Sequence, residues 1–201
     1  MPSHQTNAAD TEGAESSKAR VLRVATELFA QHGFHGTAIQ QVSDASGLGR
    51  GALYHHIKSK DQLLYEVLRT PHREIIEEAD AILECAASPE QKLREMTRAY
   101  LRNLVEKRSA WMITSRDLGA LADQHRAEIA SLQRRHQAQW RELFNLCEQA
   151  GLVRKVSDLH FRGFLGMLSQ AFNWIDPGGR MSPSEIADAY LDLLLNGLKP
   201  R

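Results

Sequence analysis

The 201-residue sequence predicts an all-α protein. Apolar residues recur at helical spacing in one segment after another, start and stop residues bracket those segments, and no stretch alternates as a strand would. About nine helices are expected, the first three forming a compact N-terminal head.

Residues 1–17 lack periodicity and bulky apolar side chains and read as a disordered tail. A first helix is expected over about 18–32, where Val21, Val24, Ala25, Leu28 and Phe29 make an apolar stripe. Gly33 stops it, and Thr37 suits the N-cap of a second helix carrying Ile39, Val42 and Ala45. Gly47-Leu48-Gly49 breaks the chain before a third helix over about 50–56. Ser59 can cap a fourth, in which Leu63, Leu64 and Val67 precede Pro71 and Ile75, Ile76 and Ile82 follow it. Pro71 either kinks one helix near residues 68–70 or splits it in two; the kink is favoured because no turn residue flanks it.

Ser88-Pro89-Glu90-Gln91 is a capping box with proline at the first helical position, opening a fifth helix with Leu93, Met96, Tyr100 and Leu104 on one face. A short sixth helix covers about 110–118 and a long seventh about 120–150, closed by Gly151. Ile129, Leu132, His136, Trp140, Leu143, Phe144 and Cys147 stripe the seventh. The eighth, expected over about 158–174, sets Phe161, Phe164, Leu168 and Phe172 opposite a small or polar face of Arg162, Gly166, Ser169 and Asn173. After a turn cluster at 176–179, Ser182-Pro183-Ser184-Glu185 is a second capping box and starts the ninth helix, with Ile186, Tyr190, Leu193 and Leu194.

Composition bounds the possibilities. Hydrophobic residues at 42% and charged residues at 25% are ordinary for a water-soluble domain, and no run approaches the roughly 20 apolar residues of a membrane span. The polar N-terminus has neither the apolar core of a secretory signal nor the arginines of a transit peptide, so the cytoplasm is the expected compartment. Cys85 and Cys147 lack C-x-x-C spacing and read as two buried free thiols in a reducing compartment, with no metal site. No G-x-S-x-G, P-loop, dinucleotide turn or His/Cys/Glu cluster at metal spacing is present, so an enzyme is not expected, nor a cofactor. The net charge is zero but unevenly spread: 1–17 carries −3, and 18–60, with six Lys or Arg against Glu27 and Asp44, carries +4. The positive charge therefore sits on the head, as attraction to phosphate requires.

Two short helices joined by a glycine-bearing turn, the second bearing Arg50, Tyr54 and His55, make the helix-turn-helix pattern that lays a recognition helix in the DNA major groove. Leu28-Phe29, Gly33-Phe34, Gly36-Thr37, Val42, Asp44-Ala45 and Gly47, then Gly51-Ala52-Leu53-Tyr54-His55-His56 and Ser59-Lys60, resemble the head of TetR-family transcriptional regulators over roughly 18–68. Gly49 stands where that family commonly has a capping Ser or Thr, and Ile57 where it has Phe. The resemblance implies an all-α homodimer with a helix-turn-helix domain over 18–62 and an effector-binding and dimerisation domain over 63–201. Arg50 can reach a guanine edge or a phosphate, and Gly51 lets the backbone approach the groove. Tyr54, His55 and Lys58 are further candidate DNA contacts, Thr37 and Lys60 sit near helix N-termini that favour phosphate, and Gln41 lies on the outer face of the second helix. Leu53 and Val42 read as head core.

Asn173-Trp174, Pro177-Gly178, Ser182-Pro183 and Glu185-Ile186-Ala187 resemble the C-terminal end of a TetR branch that controls fatty-acid or steroid degradation and responds to acyl-CoA thioesters. Trp111, Met112, Trp140, Phe144, Phe161, Phe164, Met167 and Trp174 could wall an apolar ligand tail, with Arg116 and Arg162 for phosphates and His136 interrupting the stripe. Gly166, Ser169, Asn173, Tyr190 and Leu194 are the expected dimer face, which would match a pseudo-palindromic operator in double-stranded DNA. The expectation is a homodimeric repressor released by an effector, an acyl-CoA thioester being favoured. A different hydrophobic effector, or DNA binding without any effector, are the alternatives.

Overall fold

The structure, a computed structural model, describes residues 16–176 and 178–197. The expected tail up to residue 15, Pro177 of the turn cluster and residues 198–201 lie outside the described residues. Within them, nine α-helices and two short 3-10 segments make up the regular structure. Among the described residues no helix is long and apolar enough to cross a membrane.

Helix α1, Ser17–Gly36, starts where the Ser16 hydroxyl accepts the Ala19 amide at 3.1 Å. It is broken at Gly33, whose φ of 77° and ψ of 161° are open essentially to glycine alone. The chain there swings Phe34 inward onto Phe29, ring centroids 5.6 Å apart. Helix α2, Ile39–Ser46, ends at Gly47 in the left-handed region (φ 67°), and α3, Arg50–His56, follows. Val42 and Leu53 are fully buried between them and α1, as their apolar spacing requires.

Helix α4, Lys60–Glu84, runs unbroken through Pro71. The split into two helices is thus excluded, and the ring is accommodated inside one buried helix. Leu63, Leu64 and Leu68 pack into the head core, whereas Ile75, Ala79 and Ile82 pack into a second core. That second core is built from α5 (Pro89–Glu106), α7 (Asp123–Gln149), α8 (Asp158–Ser169) and α9 (Pro183–Gly197), with Trp111 from α6 (Arg108–Asp117). Both capping boxes form: Ser88 with Gln91, and Ser182 with Glu185. Arg94 and Arg98 both bind Asp188 and so clamp α5 to α9.

Four expectations need correction. Helix α8 ends at Ser169, with a 3-10 turn at Ala171–Asn173 in place of its last turn. A 3-10 turn at Leu118–Ala120 separates α6 from α7. Thr37 is not the α2 N-cap: Ala38 is, and the Gln41 side chain accepts its amide at 2.6 Å. Cys85 is exposed just past α4; only Cys147 is buried, and burial pushes its thiol up to about 11.

The two glycines at positive φ in the head differ in tolerance. Gly33→Ala should destabilise by about 1–3 kcal/mol, because no L-residue holds its φ and ψ, whereas Gly47→Ala, in an ordinary left-handed turn with open space around it, should cost about 1 kcal/mol. Urea unfolding of the two variants compares them directly; equal losses would show that the Gly33 geometry is not strained.

Candidate nucleic-acid interface and ligand cavity

The head presents α3 outward. Leu53 anchors it in the core, leaving Arg50, Gly51, Tyr54 and His55 exposed along one side, with Lys58 beyond its end. Tyr54 is 42% exposed, unusual for an aromatic, and the Arg50 guanidinium lies 5.9 Å from its ring centre. A Cβ at Gly51 would meet nothing, so the small residue leaves room there for another molecule's backbone. Gln41 is exposed on α2 with its oxygen committed to the Ala38 amide. Lys60 is half-buried with its ammonium 4.4 Å from the Phe34 ring centre, and desolvation lowers its pKa. Thr37 lies elsewhere: it is 1% exposed, and its hydroxyl donates to the Gly33 and Leu28 carbonyls at 2.9 and 3.2 Å. It braces the α1 break from inside and does not face solvent.

Polar contacts fasten the head to the body at two places, beside the apolar residues of α6 and α7 that share the head's core. Arg116 of α6 donates to the Phe29 and Ala30 carbonyls (2.5 and 3.4 Å), near the end of α1 where helical carbonyls lack partners. Asp117 beside it binds the Arg116 guanidinium at 2.9 Å and accepts the Phe34 amide at 3.3 Å. At the second place, Asp61 on α4 accepts the Ala122 amide at 2.7 Å and meets His125 at 2.5 Å. Tyr65 stacks on His125 and bonds Glu128; desolvation, reinforced by Glu128, pushes its phenol up to about 12.

Within the body a cavity of about 470 Å³ opens between α4, α5, α6, α7 and α8, in the size range of small-molecule sites. Its walls include Trp111, His136, Phe161 and Arg162, as the sequence leads one to expect, and also His72, Ile75, Tyr100, Gln133, Gln137 and Arg141, which it does not. His72, Ile75 and Trp111 form the buried end, while Gln137, Arg141 and Arg162 are exposed at the rim. Arg141 pairs with Asp158 at 2.8 Å and lies 4.1 Å from the Phe161 ring centre. Arg162 has no ion-pair partner among the described residues.

Other expected wall residues lie elsewhere. Trp140, Phe144 and Phe164 are filled core behind the wall, in edge-on contact with one another or their neighbours. Met167 is half-buried against that core, and Met112 is exposed on α6 away from the cavity. Arg116 is the head fastening already described. Trp174 lines a separate groove with Tyr190, ring centroids 6.1 Å apart. Of the residues expected at the dimer face, Gly166 and Ser169 also line the cavity, Asn173 is exposed, and Tyr190 and Leu194 are half-buried against the core. Leu193, 65% exposed on α9, is an apolar surface residue outside that expected face.

The cavity histidine His136 is held in one form. Trp140 Nε1 donates to its Nε2 at 2.9 Å, so the proton sits on Nδ1, which donates to the Gln139 oxygen at 3.2 Å. Gln139 in turn donates to the Ile76 carbonyl and Asp80. Burial drives the His136 pKa down to about 4 from the ordinary 6.5, with the neighbouring His72 adding to the fall and the Gln139 bond opposing it. The unfolded chain therefore takes up this proton first. The stabilisation is complete above pH 6.5 and is lost as pH falls from there towards 4, up to about 3 kcal/mol in all. His136→Phe should flatten this part of the stability–pH curve and cost about 1–3 kcal/mol at neutral pH by stranding the Trp140 N–H. Urea midpoints between pH 4 and 8 test it; parallel curves for the two proteins would refute the assignment.

The head and body also match known proteins. The profile described as "Bacterial regulatory proteins, tetR family" matches residues 21–67, and the one described as "Tetracyclin repressor-like, C-terminal domain" matches 86–198, more than half the chain. The chain is 27% identical over 186 residues, 91% of each protein, to the HTH-type transcriptional repressor KstR2 of Mycolicibacterium smegmatis. The crystal structure of the TetR family transcriptional regulator PfmR from Thermus thermophilus superposes with a TM-score of 0.82 at 31% identity, covering 90% of this chain and 100% of that one. AibR in complex with isovaleryl coenzyme A and operator DNA gives a TM-score of 0.76 at 27% identity, covering 90% of this chain and 98% of that one. The outward-facing α3 and the family matches over 21–67 and 86–198 agree: this chain belongs to the TetR family and is a DNA-binding transcriptional regulator.

Proposed function

We propose that the protein is a homodimeric repressor whose effector is an acyl-CoA thioester seated in the α4–α8 cavity. The observation that carries this reading is the cavity's polarity: aromatic and aliphatic walls inside, an unpaired guanidinium, Arg162, at the exposed rim. An acyl chain fits the interior, and the phosphates of coenzyme A suit a guanidinium in open contact with solvent. The similarity to KstR2, named a repressor, and to AibR, crystallised with an acyl-CoA and operator DNA, supports it.

On DNA, Arg50 and Gly51 meet the major groove, Tyr54, His55 and Lys58 meet the backbone or a thymine methyl, and Lys60 and Gln41 lie at the margin. Two copies related by a two-fold axis set their recognition helices about 34 Å apart, so the operator is a pseudo-palindrome. The effector acts through α4, which carries His72 and Ile75 in the cavity wall and the head's Leu63, Leu64 and Leu68 on the same rod. Filling the cavity favours a tilt of α4 that takes Arg50 and Tyr54 out of register; it does so only to the extent that the effector binds the tilted form better.

Fluorescence anisotropy on an operator fragment selected in vitro tests the effector. Some members of a series of acyl-CoA thioesters of graded chain length should release the DNA where free acids and coenzyme A alone do not, and Arg162→Ala should raise the thioester concentration needed about tenfold. Release by free acids alone would sink the thioester reading. For the dimer, the exposed Leu193 of α9 lies beside half-buried Tyr190 and Leu194, an apolar face of the kind that pairs. Leu193→Glu should convert the protein to monomer at low micromolar concentration in sedimentation velocity; a variant that stays dimeric places the interface elsewhere.

A further inference from the structure

Two histidines line the cavity, and their hydrogen bonds leave them in opposite conditions. Both nitrogens of His136 are occupied, by Trp140 and Gln139, so this ring offers a ligand only its face. His72 is 2% exposed, and its Nδ1 lies 2.8 Å from the Leu68 carbonyl. A carbonyl can only accept, so Nδ1 carries the proton and Nε2 is left as a lone-pair acceptor. Burial also lowers the His72 pKa below the ordinary imidazole value, which keeps the ring neutral and the lone pair free at neutral pH.

That acceptor is poorly served. The contact of Nε2 is with the Gln133 amide nitrogen at 3.4 Å, long for a hydrogen bond. On the wall of the same cavity, the Tyr100 hydroxyl has no hydrogen-bond partner among the described residues. Trp111, tilted against His72 at 4.6 Å, donates its own N–H away to Asn103 at 3.0 Å. The cavity wall therefore holds, at its buried end, an acceptor of fixed orientation with one long contact, and on the same wall a half-buried neutral amide and phenol able to donate. A plain alkyl chain would cut these groups off from water and give them nothing in return.

We propose that this end of the cavity is a subsite for a hydroxyl group on the effector's acyl chain, donating to Nε2 of His72 and accepting from Gln133 or Tyr100. The effector is then a hydroxylated acyl thioester, and His72 is the residue that selects it over the saturated chain. The inference rests on the acyl-CoA reading above.

Titration calorimetry on the full chain needs no operator and separates the two claims. The probes are medium-chain acyl-CoA thioesters, unsubstituted or carrying one hydroxyl at successive carbons. One hydroxylated isomer should bind at least about tenfold tighter than the unsubstituted thioester. His72→Phe, which keeps the ring against Trp111 and removes the lone pair, should abolish that ratio. If His72→Phe does not fold, Gln133→Met and Tyr100→Phe serve the same comparison, and the one that removes the hydroxyl's donor should shrink the ratio. Equal binding of all isomers by the unmodified protein overturns the hydroxyl subsite and leaves the thioester reading standing. A preference that survives in the folded variants overturns the assignment to these residues. Binding of no thioester at all removes the reading on which the inference rests, and the inference with it.

Discussion

One helix lies in two hydrophobic cores. The first half of α4 is held by Leu63, Leu64 and Leu68 among the residues of the DNA-reading head, and the second half by Ile75, Ala79 and Ile82 among those of the body. A displacement of one half is opposed by close packing at both ends, so the helix moves as a rod or not at all. Pro71 and His72 sit at the crossing, buried, where the proline has removed one main-chain donor and the next residue faces the cavity. The part of the helix that lacks a main-chain donor is thus the part that borders the cavity.

The fastenings between head and body sharpen that arrangement. Arg116 and Asp117 grip the end of α1, and Asp61 with His125 grips the start of α4. They use charged and polar groups, partly exposed except for the buried Asp117, whose net contribution depends on geometry, whereas the cores on either side are apolar. A regulator that must reorient a reading surface without unfolding it needs this division. Apolar packing keeps each part intact, and these polar contacts join them beside the apolar α6 and α7 residues that share the head's core.

Much of the architecture was legible in the residues. The apolar stripes placed nearly every helix, and the two capping boxes formed as Ser88-Gln91 and Ser182-Glu185 require. Gly33 and Gly47 broke the chain where their spacing said they would. The cavity was harder, because periodicity shows which residues turn inward but not whether the inside is filled or hollow. Trp140, Phe144 and Phe164 turned inward and filled the core; Ile75 and Tyr100, reading as equally plain stripe residues, border the hollow. His72 carries the same signal as His136, a histidine in an apolar stripe, but Pro71 beside it makes the backbone the stronger local signal. Arg116 lay beyond reach for another reason: its partners Phe29 and Ala30 are far back in the chain, 87 and 86 positions away, and no local pattern encodes such a distance. Thr37 misled because threonine is a good cap and alanine is not; the Gln41 side chain, folding back onto the Ala38 amide, had taken over the task.

The head core also reaches past the head. Ala110 and Ile113 of α6, with Leu121 and Ile129 at the start of α7, belong to the same apolar cluster as Val21, Phe29 and Leu53. The surface that reads an operator is therefore not a detachable cassette. In a lineage that exchanges such heads among regulators by recombination, a crossover placed just after the third helix would graft a new reader onto a foreign floor. Inheritance of a new DNA specificity with an old effector is then easiest through changes on the outer face of α3, where Arg50, Gly51 and Tyr54 contribute nothing to that floor.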